Sequence, residues 1–521
     1  MSIKGLVIAL ILLVSTSVST TAQALTPEQQ RAIAAGETDE RIAALNHAVA
    51  TNEPGLAPFV QALLDDAIKL TPAKVIDTRV PGAVVPEGAE DVVNNNRMRA
   101  ALQGALQLLG LASPEADKRR AALDGLAGQT MDEAQATLVD AALARETEPV
   151  LKKRLALLSA TLTISSNDRT RRLQAAKVLS EAGDANVQGL LIERIAVESD
   201  AEVKGSLQSS LSALQRRLDW GERAGALFAG LSLGSILLLA ALGLAISYGL
   251  MGVINMAHGE LMMVGAYATY LVQNAVRAWL PAGFFDLYIV IAIPVAFISA
   301  ALVGAALERS VIRYLYGRPL ETLLATWGIS LVLQQGARTI FGAQNVPVEN
   351  PSWLSGGWEV MGNLTLPWNR IAIIVFAGLV LAGVALLIAR TRLGLFVRGV
   401  TQNRVTAACM GVNTARIDCY AFSLGAGLAG LAGCALSQVG NVGPDLGQGY
   451  IVDSFMVVVL GGVGQLAGTV YAAMGLGLLN KLIEGWAGAV LAKIFVLAFI
   501  VVFIQKRPQG LFAMKGRSAE S

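Results

Sequence analysis

The sequence predicts an all-α protein in which a polytopic helical membrane domain follows a smaller, charged helical domain. Composition carries the first part of that expectation. Of the 521 residues, 54% are hydrophobic and only 15% are charged, the balance of an integral membrane protein rather than a soluble one. Patterning carries the second. Residues up to about Trp220 are rich in Arg, Lys, Asp and Glu, whereas long apolar runs dominate after Ala226. Many of these runs approach the length of about 20 residues that crosses a bilayer as a helix. The formal net charge is +2, so charge gives no support for a nucleic-acid partner. The chain divides into four segments: a signal peptide over 1–24, a helical periplasmic domain over 25–220, a membrane domain over 221–513 and a cytoplasmic tail over 514–521.

The first segment has the three parts of a secretory signal. Lys4 supplies the positive start, Leu6–Val14 the apolar core and Ala22-Gln-Ala24 the small-x-small cleavage site, so cleavage is expected before Leu25. An uncleaved signal anchor is the alternative, and both readings export the charged half. From Thr26 to Leu218 the apolar residues recur at steps of three or four, predicting helices over Leu56–Leu70, Met98–Leu109, Pro114–Leu126, Asp132–Arg145, Pro149–Leu162, Asp168–Leu179 and Ala201–Leu218. Ser113-Pro114 and Ser166-Asn-Asp are expected helix starts, because a short polar side chain accepts from the free amides there. Similar openings at Pro114, Pro149 and Ala201 hint at a HEAT-like stack of helix pairs. Pro72–Asn96 contains Pro81-Gly82 and Pro86, lacks helical period and reads as an extended excursion. His47 is the one histidine here and reads as a solvated side chain. Cys409, Cys419 and Cys434 all lie in the apolar half, so the charged half has no disulfide framework, and CxxC spacing is absent.

About nine crossings are expected, over 226–249, 258–276, 287–307, 322–341, 371–389, 417–437, 450–466, 468–484 and 488–505. Glycines 461, 462, 464, 475 and 477 interrupt the last three. With an exported N-terminal half the first crossing runs inward. Arg309, Arg313, Arg318, Arg390, Arg392, Arg398, Arg404, Arg416, Lys506, Arg507, Lys515 and Arg517 then fall on the cytoplasmic side, against Arg277, Arg370 and Lys481 opposite. This is the positive-inside bias. Gly425-Ala-Gly-Leu-Ala-Gly-Leu-Ala-Gly433 presents a small-residue face, read as helix packing. The external loop Gly342–Trp368 carries Trp353, Trp358 and Trp368, as interfacial anchors or as a docking surface.

Two polar stretches interrupt this pattern. Asn255, His258 and Glu260 lie between the first two crossings, and Gln334 and Gln335 lie in the fourth. Ionisable groups at such depth usually face a protein interior or a water-filled path, so these five residues are candidates to line or brace a solute pathway. A plain cytoplasmic turn is the competing reading of Asn255–Glu260. In the longest cytoplasmic loop, Arg390–Arg416, a short helix over Arg404–Met410 should end at Gly411, since glycine accepts positive φ. It is a handle for a soluble motor or a basic loop held by lipid head groups. No catalytic residue, metal set or cofactor motif emerges. His258-Gly-Glu260 is not a metalloprotease motif, because H-E-x-x-H needs a second histidine one turn away and the chain has only His47 besides. Gly461-Gly-Val-Gly464 lacks the lysine of a phosphate loop, so it is not read as an ATP-binding motif.

The string Asn255–Glu260, the loop Ala407–Asn413, the helix Gly425–Gly433, Gly461-Gly-Val-Gly464 and Arg507-Pro-Gln-Gly-Leu-Phe512 occur in an order that resembles the permease subunits of branched-chain amino acid and urea ABC importers. The resemblance covers residues 226–513. Leu320–Gln335, Phe341-Gly-Ala-Gln-Asn345, Asn350-Pro-Ser-Trp-Leu354 and Gly443-Pro-Asp-Leu-Gly447 are similar to the urea-type subunit, as is an exported helical extension. The resemblance implies a multi-pass protein of the bacterial inner membrane, not an enzyme and without cofactor. Its implied partners are a second permease subunit, two cytoplasmic ATP-binding subunits and a periplasmic urea-binding protein, with membrane lipid around it. Urea is the implied solute, with branched-chain amino acids or short amides as the alternative. Arg404, Ala407, Ala408, Met410, Gly411 and Asn413 would form the ATPase-coupling loop. Other ABC importers carry Glu-Ala-Ala there, with a glycine six residues after the Glu. Here Thr406 replaces the Glu and Gly411 comes one residue early. A passive channel is a further option, separated by the ATP dependence of uptake.

Overall fold

The computed structural model describes residues 25–512 apart from 52, 73, 81–84, 87, 127–132 and 183. The signal sequence with its Ala22-Gln-Ala24 site, Pro81-Gly82 and the tail with Lys515 and Arg517 therefore lie outside the described residues. The chain divides into two compact units, Met1–Leu218 and Asp219–Ser521.

The first unit is a run of short helices: α1 Pro27–Ala34, α2 Thr38–Ala50, α3 Leu56–Leu64, α4 Asn96–Gly110, α5 Ala116–Leu126, α6 Glu133–Arg145, α7 Pro149–Thr163, α8 Arg169–Ser180 and α9 Ala185–Val197, then the start of α10 Ala201–Met251. Thr26 opens α1 with a reciprocal cap, its hydroxyl accepting from the Gln29 amide while the Gln29 side chain accepts from the Thr26 amide. Helices pack on near neighbours in sequence, α6 on α7 and α7 on α8 among them. Two apolar clusters form inside, one from Leu25 to Leu155 and one from Ala160 to Leu218. The expected helix Leu56–Leu70 stops at Leu64. Asp66 takes φ +52°, and Ile68–Leu70 becomes strand β1 of a small antiparallel sheet with β2 Val75–Asp77 and β3 Glu90–Asp91, in the order β2-β1-β3. Asp168, the last residue of the expected start Ser166-Asn-Asp, caps α8, accepting from the Thr170 amide at 2.8 Å.

A repeat joins this unit. Arg119 of α5 clasps Glu146, which lies between α6 and α7, through two nitrogens at 2.8 and 2.9 Å. The Thr147 and Glu148 amides donate to the same carboxylate at 3.0 Å. The arrangement recurs at a spacing of roughly 50 residues. There Arg172 of α8 pairs with Glu198, between α9 and α10, and the Asp200 amide donates to that carboxylate. Each arginine also reaches back to carbonyls at its own helix start, Ser113 and Pro114 in one case and Ser166 and Asn167 in the other.

The second unit holds the rest of α10, then α11 His258–Trp279, α12 Tyr288–Ser310, α13 Pro319–Phe341, the hairpin β4 Gly357–Met361 and β5 Leu364–Pro367, α14 Trp368–Arg390, α15 Arg392–Gln402, α16 Arg404–Cys409, α17 Thr414–Ser437, α18 Gln448–Gly461, α19 Leu466–Ala487 and α20 Ala489–Lys506. The expected crossings fall on helices except over 450–466, where α18 stops at Gly461 and residues 462–465 turn, because Gly462 and Gly464 take φ +97° and +75°. Among the described residues six helices are long and apolar enough to span a bilayer, namely α10, α12 with its leading turn, α14, α17, α19 and α20. Of the other three expected crossings, α11 and α13 have the length but carry buried polar groups, and α18 has only 14 residues. No helix break separates the polar stretch Asp219–Arg223 from the apolar run, because it contains no proline.

Helices α11, α12 and α17 pack most tightly. Small residues allow it. A side chain at Gly433 would strike the Met262 carbonyl of α11, and one at Gly430 would strike the Ala296 carbonyl of α12. Backbones thus meet directly, which is how helices gain dispersion energy where lipid removes the hydrophobic drive. Helix α17 is buried along almost its whole length from Ile417 to Ser437.

Candidate functional site

The turn between α10 and α11 brings the first polar stretch inward. Gly252 takes φ +64° and ends α10, so residues 252–257 run irregularly before α11 begins. Asn255, His258 and Glu260 are only 2%, 1% and 1% exposed, which is incompatible with a plain solvated turn. The Asn255 side-chain oxygen accepts from the Ala257 amide at 3.1 Å, folding the turn onto itself, while its Nδ2 has no partner within the protein. Nε2 of His258 stands 2.9 Å from the Ala240 carbonyl of α10. A carbonyl only accepts, so that nitrogen carries the proton, and His258 ties α11 to α10.

Glu260 meets α13. One carboxylate oxygen, Oε1, accepts from the Ser330 hydroxyl at 2.5 Å and from Nε2 of Gln334 at 2.6 Å. The other, Oε2, is buried without a hydrogen-bond partner in the protein. Gly447 lies against it. A side chain there would collide with the Gly259 carbonyl and come within 2.6 Å of Oε2. Two turns along α11, Tyr267 stacks on Phe341 with ring centres 4.2 Å apart, and its buried hydroxyl also lacks a partner. A buried carboxylate oxygen or hydroxyl left unpaired costs about 1–3 kcal/mol.

Helix α13 presents more of this surface than the paired glutamines suggest. Thr322, Thr326, Ser330 and Gln334 recur every four residues and are all buried, forming one polar stripe. Thr326 accepts from the Met256 amide at 3.2 Å, so the stripe holds the irregular turn as well as Glu260. Gln335 is exposed and does not join the cluster, because one residue along a helix turns the side chain by about 100°. Thr326, Ser330 and Tyr267 were missed by sequence reasoning. The four-residue step of hydroxyls leading to Gln334 was the available signal.

The second candidate region is the loop between α14 and α17. Asn403 caps α16, accepting from the Thr406 amide at 2.9 Å. At the other end the Gly411 amide donates to Ala408 and the Val412 amide to Ala407, the paired bonds of a Schellman stop, with Gly411 at φ +86°. Asn413 then caps α17 through the Arg416 amide. Ala407 is buried, Ala408 is exposed and Met410 is 81% exposed at the tip. Arg404 folds back to pair with buried Asp418 on α17.

A helical bundle that spans the bilayer repeatedly and buries a carboxylate–amide cluster between two of its helices has the construction of a membrane transport protein. Residues 226–504 match the family described as Branched-chain amino acid transport system / permease component, and the chain belongs to that family. It is similar to the high-affinity branched-chain amino acid transport system permease protein LivH of Salmonella typhimurium, 27% identical over 55% of this chain and 94% of the relative. It is also similar to BraD of Pseudomonas aeruginosa, 28% identical over 54% of this chain and 93% of the relative. LivM of Escherichia coli is 25% identical over 54% and 69%. No solved structure matches the chain.

Proposed function

We propose that this chain is one membrane-spanning subunit of a binding-protein-dependent ABC importer and that its solute is urea. The observation that carries the reading is Glu260, a carboxylate enclosed between α11 and α13 with one oxygen fixed by Ser330 and Gln334 and the other unpartnered. Urea offers N–H donors to such an oxygen and a carbonyl to an amide donor such as Asn255 Nδ2. His258 braces the site and Gln334 orients the carboxylate. The urea reading draws support from where the urea-type stretches lie: Ser330 and Gln334 bond Glu260, Phe341 stacks on Tyr267, and Gly447 closes on the carboxylate. Branched-chain amino acids are the second reading, favoured by the likeness to LivH and BraD, both permeases of branched-chain amino acid transport systems. An α-ammonium group would take the same carboxylate oxygen.

In this scheme a second permease subunit completes the pore, two cytoplasmic ATP-binding subunits drive it and a periplasmic binding protein delivers urea. The loop Arg404–Asn413 meets an ATP-binding subunit through Met410 and its neighbours. Residues 25–220 are periplasmic after removal of the signal, and the C-terminus is cytoplasmic. The test is uptake by the complete importer in proteoliposomes, with radiolabelled urea and radiolabelled leucine in parallel. ATP-dependent urea uptake that excess leucine leaves unchanged supports the proposal. Leucine uptake without urea uptake selects the second reading. Uptake independent of ATP makes the protein a passive channel and overturns both.

A further inference from the structure

The ends of four helices converge on a second set of buried charges, distinct from the Glu260 site. Glu308, in the last turn of α12, and Asp418, in the first turn of α17, are both 0% exposed. Each has its own arginine. Arg313 donates to Glu308 at 3.1 Å, and Arg404, the first residue of α16, holds Asp418 through both guanidinium nitrogens. Tyr316 stands between the pairs. Its hydroxyl donates to Glu308 Oε1 at 3.0 Å, it touches Met251 Sδ at 3.2 Å at the end of α10, and its ring lies 5.2 Å from the Arg404 guanidinium.

The carboxylates are enclosed while Arg313 and Arg404 remain 38% and 43% exposed, so pulling an arginine away leaves an uncompensated buried carboxylate. Such a pair therefore moves as a unit or breaks. Displacement of α16 must carry Asp418, and with it α17, or else expose Asp418. Helix α17 meets the α11 backbone at Gly433 and the α12 backbone at Gly430, and α11 begins with Glu260 in its first turn. On the other side Tyr316 sits three residues before α13, which carries Ser330 and Gln334. The cluster is thus joined to one wall of the Glu260 site through α17 and to the other through the short chain segment from Tyr316 to α13.

We propose that the cluster Arg404–Asp418–Tyr316–Glu308 is the mechanical link through which movement of α16 reaches the helices that hold the solute, making Asp418 and Tyr316 positioning residues for transport. The proposal rests on the reading that α16 meets an ATP-binding subunit.

The test uses the assembled importer in proteoliposomes, with radiolabelled urea and leucine as probes. ATP hydrolysis and uptake are measured together for Asp418→Asn, Arg404→Lys and Tyr316→Phe. Alongside, Met410→Cys is crosslinked to the ATP-binding subunit. The expected result is an assembled complex that keeps the crosslink and hydrolyses ATP, while solute moved per ATP falls about tenfold, the scale of losing one hydrogen bond to a charged group. Tyr316→Phe, which keeps the ring over Arg404, should show a smaller fall of the same kind. An unchanged ratio with the crosslink retained would overturn the link alone. Failure of all three variants to assemble would overturn it in favour of a purely structural cluster. Absence of the crosslink in the otherwise unaltered importer would remove the ATPase contact, and this proposal with it.

Discussion

Glu260 illustrates how one side chain can be held and left open at once. Its Oε1 has two donors from α13, and its Oε2 has none. Neutralising it with Glu260→Gln should lower solute uptake about tenfold or more, since a hydrogen bond to a charged group contributes roughly 1.5–3 kcal/mol. Uptake with the complex quantified in the same vesicles decides this, and near-normal uptake would take Glu260 out of the pathway. Ser330→Ala removes one of its two anchors and should produce a milder loss, whereas Gln335→Ala, at an exposed position, should be silent. If Gln335→Ala matched Gln334→Ala, the buried stripe would not be the functional face.

Elements meet here through backbone contacts, which set their tolerance to change. Gly430→Val should abolish the folded protein, because even a Cβ there would lie 2.6 Å from Ala300 Cβ and strike the Ala296 carbonyl. Gly475→Ala, with open space around it, should leave the amount of folded protein in the membrane unchanged. Comparable amounts for both would disprove the close packing of α17. Gly411 differs in kind: nothing crowds it, but its φ of +86° disfavours a β-branched residue by about 1 kcal/mol or more. Gly411→Val should therefore leave assembly intact and weaken ATP-driven uptake, and full uptake would argue against a coupling role.

The Arg–Glu clasps of the first unit carry a pH prediction. The Arg119 bonds hold the Glu146 carboxyl down at about 2, against the opposing effect of burial and with help from the Glu148 and Thr147 amides. Burial pushes Glu198 upward, yet the Asp200 amide, Arg194 and Arg172 outweigh it and leave the carboxyl lowered. A carboxyl lowered by folding stabilises fully above its unfolded value of about 4.5 and loses that contribution as pH falls toward 2. Hydrogen-exchange protection over Ala116–Leu126 and Glu133–Thr163, expressed against the intrinsic exchange rate at each pH, should therefore fall across that window. Glu146→Gln should exchange faster at neutral pH and show a flatter acid response. An acid response identical to that of the unaltered chain would rule the clasp out as its source.

For the whole molecule, topology is the quantity to measure. The basic residues Arg309, Arg390 and Arg416 stand in the terminal turns of α12, α14 and α17, and Arg313, Arg392 and Arg398 in the segments that follow α12 and α14; by the positive-inside bias this end should be cytoplasmic. A periplasm-active reporter fused after Asp184 and a cytoplasm-active one after Arg517 should both be functional. A cytoplasm-active reporter working after Asp184 would reverse the assignment of the first unit.

Composition, apolar periodicity and run length determined the all-α class and most of the membrane helices, because segment length and side-chain hydrophobicity act locally. Local chemistry likewise made the Gly411 stop legible, since a positive φ at a helix end favours glycine. Contacts between segments distant in sequence were decided only by the tertiary structure. Nothing near Glu260 in sequence announces Ser330 or Gly447, and nothing near Arg404 announces Tyr316. The repeated clasp was hidden for the same reason: its arginine and glutamate lie on different elements and meet only once the helices pack. Gln334 and Gln335 are indistinguishable as residue types, and only the packing of α13 buried one and left the other exposed. Pairing of buried charges is a property of the packed interior, where leaving a partner unmatched is costly, and that interior does not exist until the chain has folded.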